Sequence, residues 1–286
     1  MVASIAGRVG SQQEAVWILD HGGADRAQAL ADRRAAGEPL QYVLGRWPFR
    51  SVELRVDGRV LIPRSETEQV VGVALEELDR ICRGREAGGS TRPVTPADRG
   101  SPRLCLDLGT GSGAIALSLA TEGGAICPDL GVWATDDSLG ALEVAGENLG
   151  DLAAGHPVAA ARVRLIHGSW FAPLPTRLLG RVDLVVSNPP YVGVSEYADL
   201  DPSVREWEPE RALVAQRGAS GVEGMAAIEA ILNGAPRWLT SCGAAVVEIA
   251  PHQADAAIDA ARSAGFGQVA TRRDLAGRIR MLVARR

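Results

Sequence analysis

The 286-residue chain contains no lysine, and all 30 of its basic residues are arginine. That removes Schiff-base lysines and the phosphate-loop lysine from the chemistry open to it. Cysteine is scarce as well. Cys82, Cys105, Cys127 and Cys242 are scattered without a CxxC pair, and the four histidines are equally dispersed, so no metal site is expected. Three of the cysteines sit in or beside apolar runs, where buried free thiols are common. No apolar run reaches the roughly 18–20 residues that span a bilayer. The opening stretch MVASIAGRVGSQQEAV lacks a secretory apolar core. A cytoplasmic, reducing setting with no membrane partner is therefore expected. Excess positive charge is missing too: the formal net charge is −5. That argues against a protein held stably on nucleic acid by bulk charge.

Apolar residues are plentiful: 46% of the chain against 23% charged, enough to bury one large domain. Residues 11–36 read as two short helices broken at Gly22-Gly23, with Val16, Leu19, Ala27, Leu30 and Ala31 at helical spacing. Over 47–62 the period changes. Val52, Leu54 and Val56 alternate, Asp57-Gly58 signals a hairpin turn, and Val60-Leu61-Ile62 returns. Ser65 then opens a helix to about Arg83, with Glu68 at the reciprocal capping position. Residues 84–102 are rich in Gly, Pro, Ser, Thr and Arg and read as a flexible linker. Beyond it, strands are expected at 103–108, 131–135, 162–166, 182–187, 243–249, 267–271 and 279–284, with helices including 113–121, 138–149, 222–238 and 251–264. Near-continuous apolar strands alternating with helices imply an α/β fold, its mostly parallel seven-stranded sheet covered by helices on both faces. Such sheets bind ligands at the carboxyl ends of their strands.

Those strand ends carry the informative residues. After the first comes Asp107-Leu108-Gly109-Thr110-Gly111-Ser112-Gly113, a glycine turn that brings free backbone N–H groups to a helix start. Alone it also satisfies a dinucleotide fingerprint. After the second comes Asp136, placed to accept both hydroxyls of a ribose, or else to cap the next helix if Asp137 or Ser138 does not. After the third, Trp170 can border a bound base or simply cover the core. After the fourth comes Asn188-Pro189-Pro190-Tyr191. Two prolines stiffen the backbone and remove two donors. Carbonyls, the Asn188 side-chain oxygen and the Tyr191 ring then make a slot for a planar NH2 group, which a nicotinamide enzyme does not need.

Asn-Pro-Pro-Tyr after the fourth strand, with Asp-x-Gly-x-Gly-x-Gly after the first, resembles the Rossmann-like class I methyltransferases that methylate exocyclic or side-chain nitrogen. The resemblance narrows through PLQYVLG at 39–45, Phe49, VLIPRSETE at 60–68, REWEP at 205–209, Ala212-Leu213, Glu248 with Gln253, and DLAGR at 274–278. Together these resemble the peptide chain release factor N5-glutamine methyltransferases, the HemK/PrmC family, over about residues 37–286. Ser65 stands where the family usually has Pro, Ser169 where it has Asp, and 214–221 departs from the usual Gly-Gly-x-Asp-Gly. The segment before Pro39 is short beside the family's N-terminal helical bundle.

The resemblance implies an enzyme that transfers a methyl group from S-adenosyl-L-methionine to the glutamine of a Gly-Gly-Gln motif in release factors. It implies a short helical docking segment at 1–46, a connecting hairpin at 47–64 and the methyltransferase domain at 65–286. Asn188, Pro189, Pro190 and Tyr191 would hold the substrate amide. Asp107, Gly109, Thr110, Gly111, Ser112, Gly113, Asp136, Trp170 and Asn188 would bind the cofactor. Arg64, Glu66 and the 205–209 loop are placed to shape the mouth of the site. Glutamine methylation of a ribosomal protein, N-methylation of an exocyclic amine in nucleic acid, and a non-catalytic module on the same fold remain open on these residues.

Overall fold

A computed structural model describes residues 1–86 and 102–286. Three helices come first: α1 (Val2–Val9), α2 (Gln12–Ala35) and α3 (Leu40–Leu44). Gly23, at φ 63° and ψ 179°, breaks α2 where the glycine pair predicts a break. Ala27, Leu30 and Ala31 are buried as expected, but before the Gly23 break the buried positions fall one residue ahead of the expected ones. Ala15 and Ile18 join Ile5, Ala27, Leu30, Ala31, Leu40 and Val43 in a small core, while Val16 and Leu19 are only half-buried. With α1 packing on α2, the buried face is set by that contact.

Strands β1 (Arg46–Phe49) and β2 (Val52–Arg55) pair antiparallel. The hairpin therefore turns at Arg50-Ser51, and not at Asp57-Gly58 as the sequence suggests. Asp57 instead accepts from the Arg59 backbone N–H and guanidinium, and Val60 and Ile62 are buried without forming a strand. Helix α4 (Ser65–Glu86) follows. Its Glu68 carboxylate accepts the Arg50 N–H at the hairpin tip, where a capping box was expected. The first residues of the expected 84–102 linker continue α4; most of the rest of it lies outside the described residues.

The large sheet uses β3 (Leu104–Leu108), β4 (Gly131–Asp136), β5 (Val163–His167), β6 (Val182–Ser187), β9 (Leu239–Glu248), β10 (Gln268–Arg273) and β11 (Ile279–Arg285). Two short strands, β7 (Val192–Gly193) and β8 (Val214–Ala215), pair separately. The order is β10-β11-β9-β6-β3-β4-β5, with β9 through β5 parallel and the β10-β11 hairpin antiparallel at one edge. This is the seven-stranded, mostly parallel sheet expected.

Alternation within the strands sends side chains to two cores. Cys105, Val132, Leu184, Val246 and Val283 face α4 and α5 (Ala114–Ile126). Their neighbours Leu106, Trp133, Val185, Val247 and Leu282 face α9 (Ala226–Trp238) and α10 (Ala254–Ser263). Between these, α6 (Leu139–Gly155) and α7 (Pro157–Ala160) lead to β5, and α8 (Pro202–Arg205) lies after β7. The helices on both faces bury the sheet and leave its carboxyl ends as the open rim.

One expectation about cysteine fails. Cys82 of α4 and Cys127 at the end of α5 are joined as a disulfide, bridging two helices on the same face. Cys105 stays a free buried thiol, and Cys242 is free and half-buried. Among the described residues, no helix is long and apolar enough to cross a membrane.

Candidate active site

A cavity of about 400 Å³ opens at the carboxyl ends of β3, β4, β5 and β6. Its floor is the loop from β3 to α5. Gly109 and Gly111 adopt φ 73° and 56°, a left-handed region that costs a side chain-bearing residue energy. A Cβ at Gly109 would also meet the Trp170 ring at 3.3 Å. The backbone of this loop is thus free to sit directly against a ligand.

Two carboxylates hold the loop. Asp107 is fully buried beneath it and accepts from the Thr110 hydroxyl at 2.6 Å and the Ala116 N–H at 3.0 Å. Burial pushes its carboxyl up to about 7. Asp136, on the cavity wall, accepts the Gly111 and Ser138 N–H groups, each at 2.9 Å. Burial raises its pKa, while those two N–H bonds pull it back down. A carboxylate oxygen has more than one lone pair, so both Asp136 oxygens can accept further bonds from a ligand in the cavity. The buried Asn148 of α6 joins the loop to the hairpin: it donates to the Ser112 and Arg55 carbonyls and accepts the Arg55 N–H.

The opposite wall is mostly apolar: Val60, Leu61 and Pro63 from the hairpin exit, and Pro209, Ala212 and Val214 from the strap before α9. Glu208 fastens the two together. Buried, it accepts the Ile62 N–H at 3.0 Å and pairs with Arg64. Trp207 packs against the small core that contains Tyr42, Val56, Val60 and Ile62. Arg211 reaches back across the rim to Asp137.

The Asn-Pro-Pro-Tyr turn forms the remaining side. Asn188 and Pro190 line the cavity. The Asn188 amide NH2 donates to the Thr67 hydroxyl at 3.0 Å. Thr67 donates onward to Glu248 at 2.7 Å, and the Tyr191 hydroxyl donates to the other Glu248 oxygen at 3.2 Å. Glu248 ends β9 and is fully buried, which pushes its carboxyl up to about 7 despite the two hydrogen bonds.

Of the residues singled out in the sequence, Gly109, Thr110, Gly111, Ser112, Asp136, Trp170, Asn188 and Pro190 share this cavity. Asp107 lies behind the wall, and Gly113 caps α5. Pro189 is buried, and the Tyr191 ring packs on the second core with its hydroxyl on Glu248. Trp170, at φ 46°, is held by the Thr135 hydroxyl on its carbonyl; Phe171 turns away and stacks on Trp238. A glycine floor, an acidic wall and a flat aromatic side, at a volume typical of small-molecule pockets, fit an adenosyl amino acid.

Relatives narrow the assignment. Residues 96–199 match the family model described as Methyltransferase small domain. The chain is 41% identical over 248 residues to the release factor glutamine methyltransferase of Bordetella pertussis, covering 87% of this chain and 78% of the relative. The chain belongs to the release factor glutamine methyltransferase family. A second member, from Gloeobacter violaceus, is 36% identical over 246 residues, 86% of this chain and 73% of the relative. The solved N-terminal domain of human METTL16 in complex with SAH superposes with a TM-score of 0.53 at 14% identity, covering 88% of this chain and 81% of that one, and shares the fold.

Against that family background, the sequence reading passed over Thr67 and gave Glu248 no role of its own. A signal was available for Glu248. An acid closing the apolar run 244–247 at a strand end is a buried carboxylate in need of partners.

Proposed function

We propose that this protein transfers the methyl group of S-adenosyl-L-methionine to the side-chain amide N5 of the glutamine in the Gly-Gly-Gln motif of release factors. Family membership supports the substrate, and the cavity chemistry supports the reaction. The single observation that carries it is Asn188: its NH2 is taken by Thr67, so its oxygen is left for the cavity that it lines.

The glycine loop from Gly109 to Gly113 would cradle the amino acid end of the cofactor, with Asp107 bracing it from behind. Asp136 would take the ribose hydroxyls and Trp170 would border the adenine. When bound, S-adenosyl-L-methionine supplies a strongly electrophilic methyl carbon, and the hard chemistry is its own. The protein's task is placement, because an amide nitrogen is a poor nucleophile. Holding nitrogen and methyl carbon in line is worth about 7–11 kcal/mol.

Asn188 and the backbone carbonyl of Pro189 would accept the two N–H bonds of the substrate amide. They gain strength as positive charge grows on the nitrogen. Pro190 keeps the turn rigid, and Tyr191 helps to position the amide plane. The proton leaves to water after transfer. The helices of 1–46, which have a core of their own and expose Trp17, would form the docking segment for the partner.

The test is transfer of labelled methyl from S-adenosyl-L-methionine to a purified release factor. Its Gly-Gly-Gln glutamine variant, a ribosomal protein fraction and nucleic acid serve as parallel acceptors. Label on the release factor that disappears with the glutamine supports the proposal. Label on either of the other two acceptors alone overturns it.

A further inference from the structure

An asparagine amide presents an oxygen from one edge and an NH2 from the other, and the two edges have nearly the same shape. Only the oxygen edge can accept N–H bonds from a substrate amide. A half-turn about the last side-chain bond would set donor against donor. Something must therefore choose the edge. The Asn-Pro-Pro-Tyr turn does not contain it.

We infer that Thr67 and Glu248 are positioning residues that set the direction of hydrogen bonding at Asn188, and so turn its oxygen toward the substrate. An ionised carboxylate only accepts. Glu248 therefore takes the single Thr67 proton at 2.7 Å. With that proton committed, the Thr67 oxygen can only accept, and it takes the Asn188 NH2 at 3.0 Å. The second Glu248 oxygen takes the Tyr191 proton, which leaves the carboxylate with a donor on each oxygen. Burial makes the arrangement strict. Thr67 is 3% exposed and Glu248 1%, so water does not compete for these bonds. The chain of bonds spans three separate parts of the sequence, with Thr67 and Glu248 181 residues apart.

The direction of the chain depends on Glu248 being charged. A protonated Glu248 can donate to Thr67, which frees the Thr67 proton for the Asn188 oxygen and turns the wrong edge to the substrate. The groups facing Glu248 are Thr67 and Glu66 from α4, Tyr191 from the turn after β6, and Arg280 from β11. Arg280 and the two hydroxyls favour the charged form; burial and Glu66 oppose it.

This role rests on the amide-methyltransferase reading above, so the test keeps the two apart. Single-turnover methylation of release factor is measured for wild type, Thr67→Val, Thr67→Ser and Glu248→Gln. Cofactor Kd and thermal stability are measured on the same samples. Thr67→Val keeps the shape and removes both bonds. We expect its rate to fall at least 20-fold, with cofactor Kd and the KM for release factor within threefold. Thr67→Ser is expected to return the rate to within threefold of wild type.

The wild-type rate should fall about tenfold per unit as pH drops below about 7, where Glu248 takes up a proton, and Glu248→Gln should lose that limb. A folded Thr67→Val within twofold of wild type overturns the inference, as does a wild-type rate flat from pH 5.5 to 8. Should Thr67→Val not fold, the wild-type pH profile and Glu248→Gln decide. Should wild type methylate no release factor, the function fails, and the Asn188 side-chain NH2 signal in ¹⁵N spectra still decides the positioning. A signal protected from solvent exchange in wild type and exposed in Thr67→Val or Glu248→Gln upholds it, and one unprotected in wild type overturns it.

Discussion

On the proposed cofactor side the cavity is mostly backbone, held in place by carboxylates; on the proposed acceptor side it is side chains held by one another. The glycine loop owes its shape to positive φ at Gly109 and Gly111, to the Gly109 and Thr110 N–H bonds to the Thr135 carbonyl, and to the Gly111 N–H bond to Asp136. Asn188 owes its orientation to Thr67, and Thr67 to Glu248. A backbone cradle tolerates changes at its edges, because each N–H is one of several. A chain of single bonds does not, because every link sets the polarity of the next. Binding and chemistry should therefore separate when each side is altered.

The largest separation is expected from Asn188→Ala. The lost bonds strengthen only as the nitrogen gains charge, so the single-turnover rate should fall about 1,000-fold while cofactor Kd stays within about threefold. A parallel collapse of cofactor affinity in calorimetry would merge the two sides. Asp136→Ala should do the reverse. It removes the anchor of the Gly111 N–H together with the proposed ribose contact, and calorimetry should show cofactor Kd weakened about 30- to 100-fold. An unchanged Kd would take Asp136 out of the cofactor site.

Glu208→Ala tests the wall that joins the sides. It leaves the Ile62 N–H and the Arg64 guanidinium unpaired, and should lower stability by about 1–3 kcal/mol in urea unfolding. The smallest effect is expected from Asp107→Asn. The Asp107 carboxyl titrates higher folded, at about 7, than the 3.8 of a free carboxyl. The folded state therefore holds this proton more tightly. Its contribution to stability is full below about pH 4 and is lost as pH rises toward 7. Unfolding free energy of the wild type should drop over that window relative to Asp107→Asn, and matching pH slopes would show that Asp107 stays ionised.

The two sides also differ in how much of them can be read from the chain. Asp107 through Gly113 is contiguous, and its glycines act through their own φ, so the loop was legible residue by residue. Asn188-Pro189-Pro190 was legible for the same reason, since proline restricts its own backbone and that of its predecessor. The hairpin turn was not. Asp57-Gly58 carries a strong local signal, yet the chain turns at Arg50-Ser51, where the Glu68 carboxylate and the Glu122–Arg50 pair hold the tip. On α2, Ala27, Leu30 and Ala31 were legible, but Val16 and Leu19 were misplaced by one residue because the face that α1 covers is not written in α2 itself. The Cys82–Cys127 pair joins residues 45 apart that spacing alone does not connect.

What the order of residues determined by itself was the strand-and-helix alternation and the ring of candidate positions at the strand ends that share one cavity, because periodicity and backbone freedom act within a few residues. Which edge of Asn188 faces the cavity was decided only in three dimensions. A hydroxyl has one proton to give, and where it goes depends on a carboxylate that the fold delivers from the far end of the chain.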